Sequence, residues 1–347
     1  MDIKEILKSL VSFNTIKDQD NKKIMEFIEN YLKRFNFKTK RIGKCLIASN
    51  DPNPNIGFIA HTDTVDFESW DGDPFTVQEK DNKFIGLGVC DMKGSIAAIL
   101  SAIAKIDLSQ NKIALYFTND EEIGFTGINS IKKFVKEPNI LIGEPTDNIP
   151  VYGTKGLLAL TIEFYGKKVH ASTPEKGINA IYNCLDFISK LRDFYNNELM
   201  IDIDPNFKVP YSSMNIGKIN GGETENSVAG KCTVTVDFRI NKKTDIDKIL
   251  NKVKELLKVF DAKLIIEHEV NPKLNESDMK FLEIISSSKE TANYITEGSF
   301  IDSENIIILG PGPITAHEKN EYIRFDSLEM TEELFIKIIE FYNKNLL

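Results

Sequence analysis

The sequence predicts an α/β protein: a mostly parallel central sheet flanked by helices, interrupted by an inserted, ferredoxin-like α+β domain. Three observations predict it. Short apolar runs alternate with segments of helical apolar spacing through the first part of the chain, the signature of a helix-covered parallel sheet. Around Pro150–Gly156 the pattern changes to strand, helix, strand, strand, helix, strand, which is a self-contained unit. The strand and helix alternation then resumes, and a chain of 347 residues exceeds the comfortable size of one core.

Taken in order, apolar residues at helical spacing predict helices over 2–14 and 22–35. Residues 37–49 alternate loosely and read as strand, followed by a turn at Asp51-Pro52-Asn53-Pro54-Asn55. A strand ends at Ala60, residues 67–73 are polar loop, and 92–106 is a buried-looking helix. A strand begins at Ile113, a helix covers 127–136, and a further strand ends at Gly143. The inserted unit has strands over 157–164, 212–219, 231–240 and 263–267, with helices over 177–194 and 246–260. A helix near 277–288, a strand over 305–309, a Gly/Pro loop over 310–313 and a helix over 327–345 close the chain. The expected division is 1–153 and 269–347 for the interrupted domain and 154–268 for the insertion.

Composition narrows the function classes. A net charge of -9 without an offsetting basic block argues against a nucleic-acid partner. No apolar run approaches the roughly 20 residues needed to span a bilayer, and the charged, amphipathic start has no signal-peptide core. Cys45, Cys90, Cys184 and Cys232 lie far apart and form no CxxC pair, so reduced thiols are expected. The expectation is a cytoplasmic protein with no membrane and no nucleic-acid partner.

The chemistry gathers where apolar runs stop. Gly57-Phe58-Ile59-Ala60 runs into His61-Thr62-Asp63, Ile113–Thr118 into Asn119-Asp120-Glu121-Glu122, and Asn139–Gly143 into Glu144. Between the first two, Gly88-Val89-Cys90-Asp91 opens the long apolar helix. Taken singly these are ordinary features: a polar turn, a helix N-cap at Asp91, a solvated acidic pair, a loop carboxylate. At the ends of consecutive segments they change meaning, because open α/β sheets bind ligands beyond the carboxyl ends of their strands. Imidazole and several carboxylates gathered there make a divalent-metal site. Asp63, two residues after His61, points to the same side and can orient its ring. Adjacent Glu121 and Glu122 face opposite ways, so one can bind metal while the other acts as general base. His317 supplies a second imidazole from the returning segment.

The ordered pattern His61-x-Asp63, Asp91-Met92-Lys93-Gly94, Glu121-Glu122, Gly143-Glu144-Pro145-Thr146 and His317 resembles the M20 family of metallopeptidases and amidohydrolases. The resemblance covers essentially the whole chain. It implies a zinc-peptidase-like catalytic domain whose insertion is a lid and dimerisation domain. It also implies two zinc ions per subunit, with cobalt or manganese able to substitute, held by His61, Asp91, Glu122, Glu144 and His317, with Asp91 bridging. Glu121 would be the general acid and base, and Asp63 would orient His61. His170, in Val169-His170-Ala171-Ser172, matches the family's lid histidine, which reaches into the partner subunit's site and stabilises an oxyanion. Asn226, Arg239 and Gly312 match substrate-binding positions, and an arginine fork suits a carboxylate. Ala229 stands where many members have proline. His268 matches no family position and is expected to be structural.

Within the family the sequence leans to the N-acetylornithine deacetylase branch. Glu144-Pro145-Thr146, Gly153-Thr154-Lys155-Gly156, Thr296-Glu297-Gly298, Gly310-Pro311-Gly312 and Asn320-Glu321-Tyr322 carry that likeness. The implied reaction is hydrolysis of N-acetyl-L-ornithine to L-ornithine and acetate by a homodimer. Succinyl-diaminopimelate desuccinylase and M20 di- or aminopeptidase are the alternatives, and a non-catalytic small-molecule-binding relative is a remote one.

Overall fold

The computed structural model describes residues 1–16, 19, 21–67, 70–275, 285 and 288–344. Its chain forms two compact units. Met1–Tyr152, Asn275–Glu290 and Thr296–Leu347 make the first, Gly153–Leu274 and Thr291–Ile295 the second.

The first unit is built on a mixed sheet that is parallel at its centre and antiparallel at its margins. Its central strands are Ile113–Thr118, Ile56–His61, Asn139–Ile142 and Asn305–Ile308, adjacent in that order and parallel. Every residue of Ile56–His61, Ile113–Thr118 and Asn139–Ile142 is buried, the pattern of strands covered on both faces. The expected strand over 37–49 is a hairpin. Lys38–Ile42 and Cys45–Ser49 pair antiparallel, with Gly43 at φ +55 in the turn. Cys45–Ser49 pairs antiparallel with Ile113–Thr118 in turn.

Helix Ile3–Val11 starts with a capping box formed by Asp2 and Glu5, and it buries Ile3, Ile6, Leu7, Leu10 and Val11. Helix Lys22–Lys33 buries Ile24, Met25, Ile28, Tyr31 and Leu32. Helix Gly94–Ile103 is buried all round, so it is an interior helix rather than an amphipathic one. It is shorter than expected because Val89–Lys93 forms a separate turn with non-helical backbone at Asp91 and Met92. The helix expected over 127–136 is Thr126–Ile131 followed by a tight turn at Lys132–Phe134. The C-terminal helix is Phe325–Lys344. The helix expected near 277–288 lies largely outside the described residues. A small sheet of Gln78–Lys80, Lys83–Ile85 and Tyr322–Arg324 went unforeseen, because three-residue strands leave no measurable alternation.

The second unit has the expected ferredoxin-like order. Strand Gly156–Tyr165 pairs antiparallel with Lys231–Ile240 on one side and Ala262–Val270 on the other, and Ser213–Gly221 forms an edge beside Lys231–Ile240. Alternate residues of Gly156–Tyr165 and Lys231–Ile240 are buried, so one face packs and the other is wet. The packed face meets helices Ala180–Phe194 and Ile246–Leu257 around Phe164, Phe187, Phe238 and Val253. His268 lies on strand Ala262–Val270. All four cysteines are free and buried. No helix among the described residues is long and apolar enough to cross a membrane.

Candidate metal centre

Strand register builds the site. His61 lies level with Thr118, and Ile59 with Ile142, so three parallel strands end together. Their next residues, Thr62-Asp63, Asn119–Glu122 and Gly143-Glu144, therefore leave the sheet at one level. Gly143 is needed there: a Cβ would lie 2.9 Å from both Phe58 Cζ and Ser95 Cβ. Strand Asn305–Ile308 ends at that level too, with Ile308 opposite Ile142, and feeds the loop that carries His317.

The residues so delivered form one cluster. His61 is fully buried, with Nε2 2.9 Å from Asp91 Oδ1 and 3.8 Å from Glu144 Oε1. His317 Nε2 lies 3.5 Å from Asp91 Oδ2 and 3.1 Å from Glu122 Oε2. Asp91 thus offers one oxygen to each imidazole. It caps no helix, because the peptide before Gly94 turns away from helical geometry and leaves its carboxylate facing the histidines. His61, Glu121 and Glu144 bring one ligand atom each within 4.8 Å of one another, as do His61, Asp91 and Glu122. His317 has φ +64 and a side chain 54% exposed, in contrast to the buried His61.

Asp63 does more than face an imidazole. The nearest acceptor to His61 Nδ1 is the backbone carbonyl of Asp63 at 3.1 Å, with its carboxylate Oδ1 at 3.6 Å. The other carboxylate oxygen accepts from the Glu122 N–H at 3.2 Å, so Asp63 ties the His61 strand end to the acidic loop. Asp120 shapes that loop from within. Its carboxylate accepts from the N–H groups of Thr126 and Gly127 at 2.9 and 2.6 Å, anchoring the turn that presents Glu121 and Glu122.

The electrostatics of the cluster call for a cation. Burial, with Asp91 and Glu122 nearby, pushes the Glu121 carboxyl well above its ordinary range. Burial and Asp91 do the same to Glu144, whose Oε1 is buried with no hydrogen-bond partner among the described residues. Burial works against the His61 imidazolium, yet Asp63 and Asp91 outweigh it and raise its pKa. Asp91 and Glu122 lift His317 to about 10. Four carboxylates and two imidazoles with an unpartnered buried oxygen fit a divalent-metal pair on donor chemistry, and a bound cation would relieve the repulsion among the carboxylates.

The remaining candidates lie elsewhere. His170 and Asn226 come together in the second unit: the N–H of Ala171 donates to the Asn226 carbonyl at 2.9 Å, and His170 pairs with Ser227 as a β-bridge. Both side chains are exposed, and His170 Nδ1 lies 2.8 Å from Ser172 Oγ. Arg239, on strand Lys231–Ile240, donates to Asp237 at 2.9 Å. Gly312 commits its N–H to Ser327 Oγ at 2.8 Å and its carbonyl to the Arg324 N–H at 2.9 Å, so both polar groups hold the loop together.

Sequence reasoning assigned no role to three buried charges of the first unit. Glu297, Glu321 and Lys93 are each at most 2% exposed. Burial moves both carboxyls up to about 7 and the ammonium down to about 7. Lys93 Nζ donates to the Phe13 carbonyl at 3.0 Å. All three lie in sequence motifs of the first unit, but only their place in the interior sets them apart.

Residues 152–263 match the peptidase dimerisation domain of the M20 family. The chain is 32% identical to the acetylornithine deacetylase of Vibrio campbellii over 97% of its length and 98% of that protein's. Its fold is similar to an M20 family metallo-carboxypeptidase from Sulfolobus solfataricus, with a TM-score of 0.82 at 17% identity, covering 99% of this chain and 100% of that one. It is also similar to a Bacillus subtilis peptidase described as a dinuclear metal binding member of the M20 family, with a TM-score of 0.72 at 12% identity, covering 99% and 98%. The chain belongs to the M20 family of metallopeptidases and amidohydrolases, and is a hydrolase acting on amide bonds.

Proposed function

We propose that the chain hydrolyses the amide of N-acetyl-L-ornithine, releasing L-ornithine and acetate, with two zinc ions held at the cluster. The observation that carries this reading is the convergence of His61, Asp91, Glu121, Glu122, Glu144 and His317 at one end of the central sheet, in a chain 32% identical to an acetylornithine deacetylase. Imidazole and carboxylate donors of this kind suit zinc, with cobalt or manganese serving in its place. His61 and Glu144 would hold one ion, Glu122 and His317 the other, and Asp91 would bridge them. When bound, the pair supplies Lewis acidity, polarising the acyl carbonyl and lowering the pKa of water.

The chain's own residues do the rest. Glu121 takes a proton from the attacking water and passes it to the leaving amine. Its carboxylate comes within 4.8 Å of donor atoms of His61 and Glu144, which places a proton carrier beside the ligand set. Asp63 holds His61 and the Glu122 backbone in mutual register. His170, supplied by a second copy of the chain through the dimerisation domain, donates to the oxyanion that develops on the substrate. Asn226 beside it and Arg239 would receive the substrate carboxylate, and Gly312 acts through the shape of its loop.

The test is hydrolysis of N-acetyl-L-ornithine, N-succinyl-LL-diaminopimelate and a dipeptide by zinc-loaded protein, with a chelated control. Chelator-sensitive cleavage of the acetyl compound alone is expected. Cleavage only of the succinyl compound or the dipeptide would overturn the substrate assignment and leave the metal chemistry standing.

A further inference from the structure

Glu321 reaches the turn that carries Asp91 through backbone N–H groups rather than through the metal cluster. It is 2% exposed, and its two oxygens meet three backbone N–H groups. Oε2 accepts from Gly88 at 2.9 Å, and Oε1 accepts from Cys90 at 2.6 Å and from Asp91 at 2.9 Å. Those donors converge because Gly88 has φ +79 and the Lys93 N–H closes the turn onto the Gly88 carbonyl at 2.7 Å. Successive backbone N–H groups pointing into one concavity make an anion nest, and here the anion is a side chain of the same protein.

The placement of Glu321 is itself built into the fold. Tyr322 pairs with Ile85 across the small sheet, and the Gly86 N–H donates to the Glu321 carbonyl at 3.1 Å. Strand pairing therefore sets the carboxylate over the Gly86–Asp91 turn. Cys90 Sγ makes a further contact to the Pro313 carbonyl, at 3.5 Å. The segment clamped in this way also carries His317, four residues before Glu321, while the turn it clamps carries Asp91. Asp91 has one oxygen 2.9 Å from His61 and the other 3.5 Å from His317. A small rotation of the Asp91 peptide would break that double approach. Without Glu321, the N–H groups of Gly88, Cys90 and Asp91 would lack their acceptor, and the turn would relax to find others.

We infer that Glu321 is a positioning residue for the metal pair, holding Asp91 between the two imidazoles by binding its N–H and those of Gly88 and Cys90. The inference rests on the metal-centre reading of the cluster. It concerns affinity and geometry at the ions rather than any contact with substrate.

Cobalt(II) titration of the metal-free full chain, followed by visible absorption, tests it in wild type, Glu321→Gln and Glu321→Ala. Glu321→Ala is expected to lose about 10- to 100-fold in affinity for at least one Co2+ equivalent, with an altered absorption band. Glu321→Gln keeps one oxygen able to accept from Cys90 and Asp91, and its affinity should fall between the two. Folded variants with wild-type affinity for both equivalents and an unchanged band would overturn the inference, even if their melting temperatures dropped. If Glu321→Ala fails to fold, Glu321→Gln decides alone, and unchanged affinities and band there overturn it. A wild type that binds no Co2+ would overturn the metal-centre reading and this inference with it, whereas two tightly bound equivalents in all three proteins would overturn this inference only.

Discussion

Two histidines of this chain occupy opposite physical settings. His61 ends a central strand, is fully buried, and touches Asp63, Asp91 and Glu144 from three different segments. His170 sits in an exposed loop of the second unit, where its Nδ1 lies 2.8 Å from Ser172 Oγ. The first is placed by sheet register and could not move without disturbing the core. The second is placed by its own loop and is available to something outside its unit. One imidazole is thus fixed among carboxylates by the sheet, while the other is held by its own loop and open to solvent.

Substitutions at the two sites test this contrast. Within the assembled cluster, Glu121→Gln removes the proposed proton carrier without removing a ligand. The expected loss in kcat is at least 10²- to 10⁴-fold, with metal content unchanged. Loss of metal in that variant would move Glu121 into the ligand set. His170→Ala should lower kcat by about 10²- to 10³-fold, the range for one oxyanion donor. Mixing His170→Ala chains with Glu121→Gln chains should restore part of the activity, because each mixed dimer would then own one intact site. Mixtures as inactive as the parents would place His170 in its own subunit's chemistry or in none.

Asp63→Ala probes the support of the buried histidine. It should weaken metal binding by about 10- to 100-fold, read by titration against a competing chelator. Farther out, Glu29 is held by Lys33, Thr39 and Arg41, and these contacts depress its carboxyl to about 2, with Lys33 the largest cause. A depressed folded pKa stabilises above the unfolded value near 4.5 and is lost as pH falls from there toward 2. Solvent screens such surface pairs, so Glu29→Gln should cost about 1 kcal/mol or less at pH 7. The deficit should vanish in denaturant melts near pH 2, and a deficit independent of pH would assign Glu29 a packing role instead.

How much of this was legible in the sequence follows from the same contrast. Strand ends announced themselves, because an apolar run that stops at His61, Thr118 or Gly143 marks both a strand and the level at which it leaves the sheet. The antiparallel margins were not legible: hairpin Lys38–Ile42 and Cys45–Ser49 reads like one loose strand until Gly43 is seen at positive φ. Asp91 before a buried helix has the sequence of a cap, and only the non-helical backbone at Asp91 and Met92 frees its carboxylate for the imidazoles. Glu321 was invisible for a different reason. Its partners are backbone N–H groups from a segment distant in sequence, and backbone donors leave no residue-type signal. His170 and Asn226 were found as separate motifs, and their meeting across one loop pair is something the fold alone supplies.

The most direct test of the central claim is the number of divalent ions that the full chain binds. Zinc titration of the metal-free wild type by calorimetry, with the metal content of the dialysed product measured by atomic emission, should return two equivalents per chain. Two equivalents, both lost on chelation together with amide hydrolysis, is the result this account predicts. A single tight equivalent, or none, would contradict a cluster in which Asp91 is shared by His61 and His317.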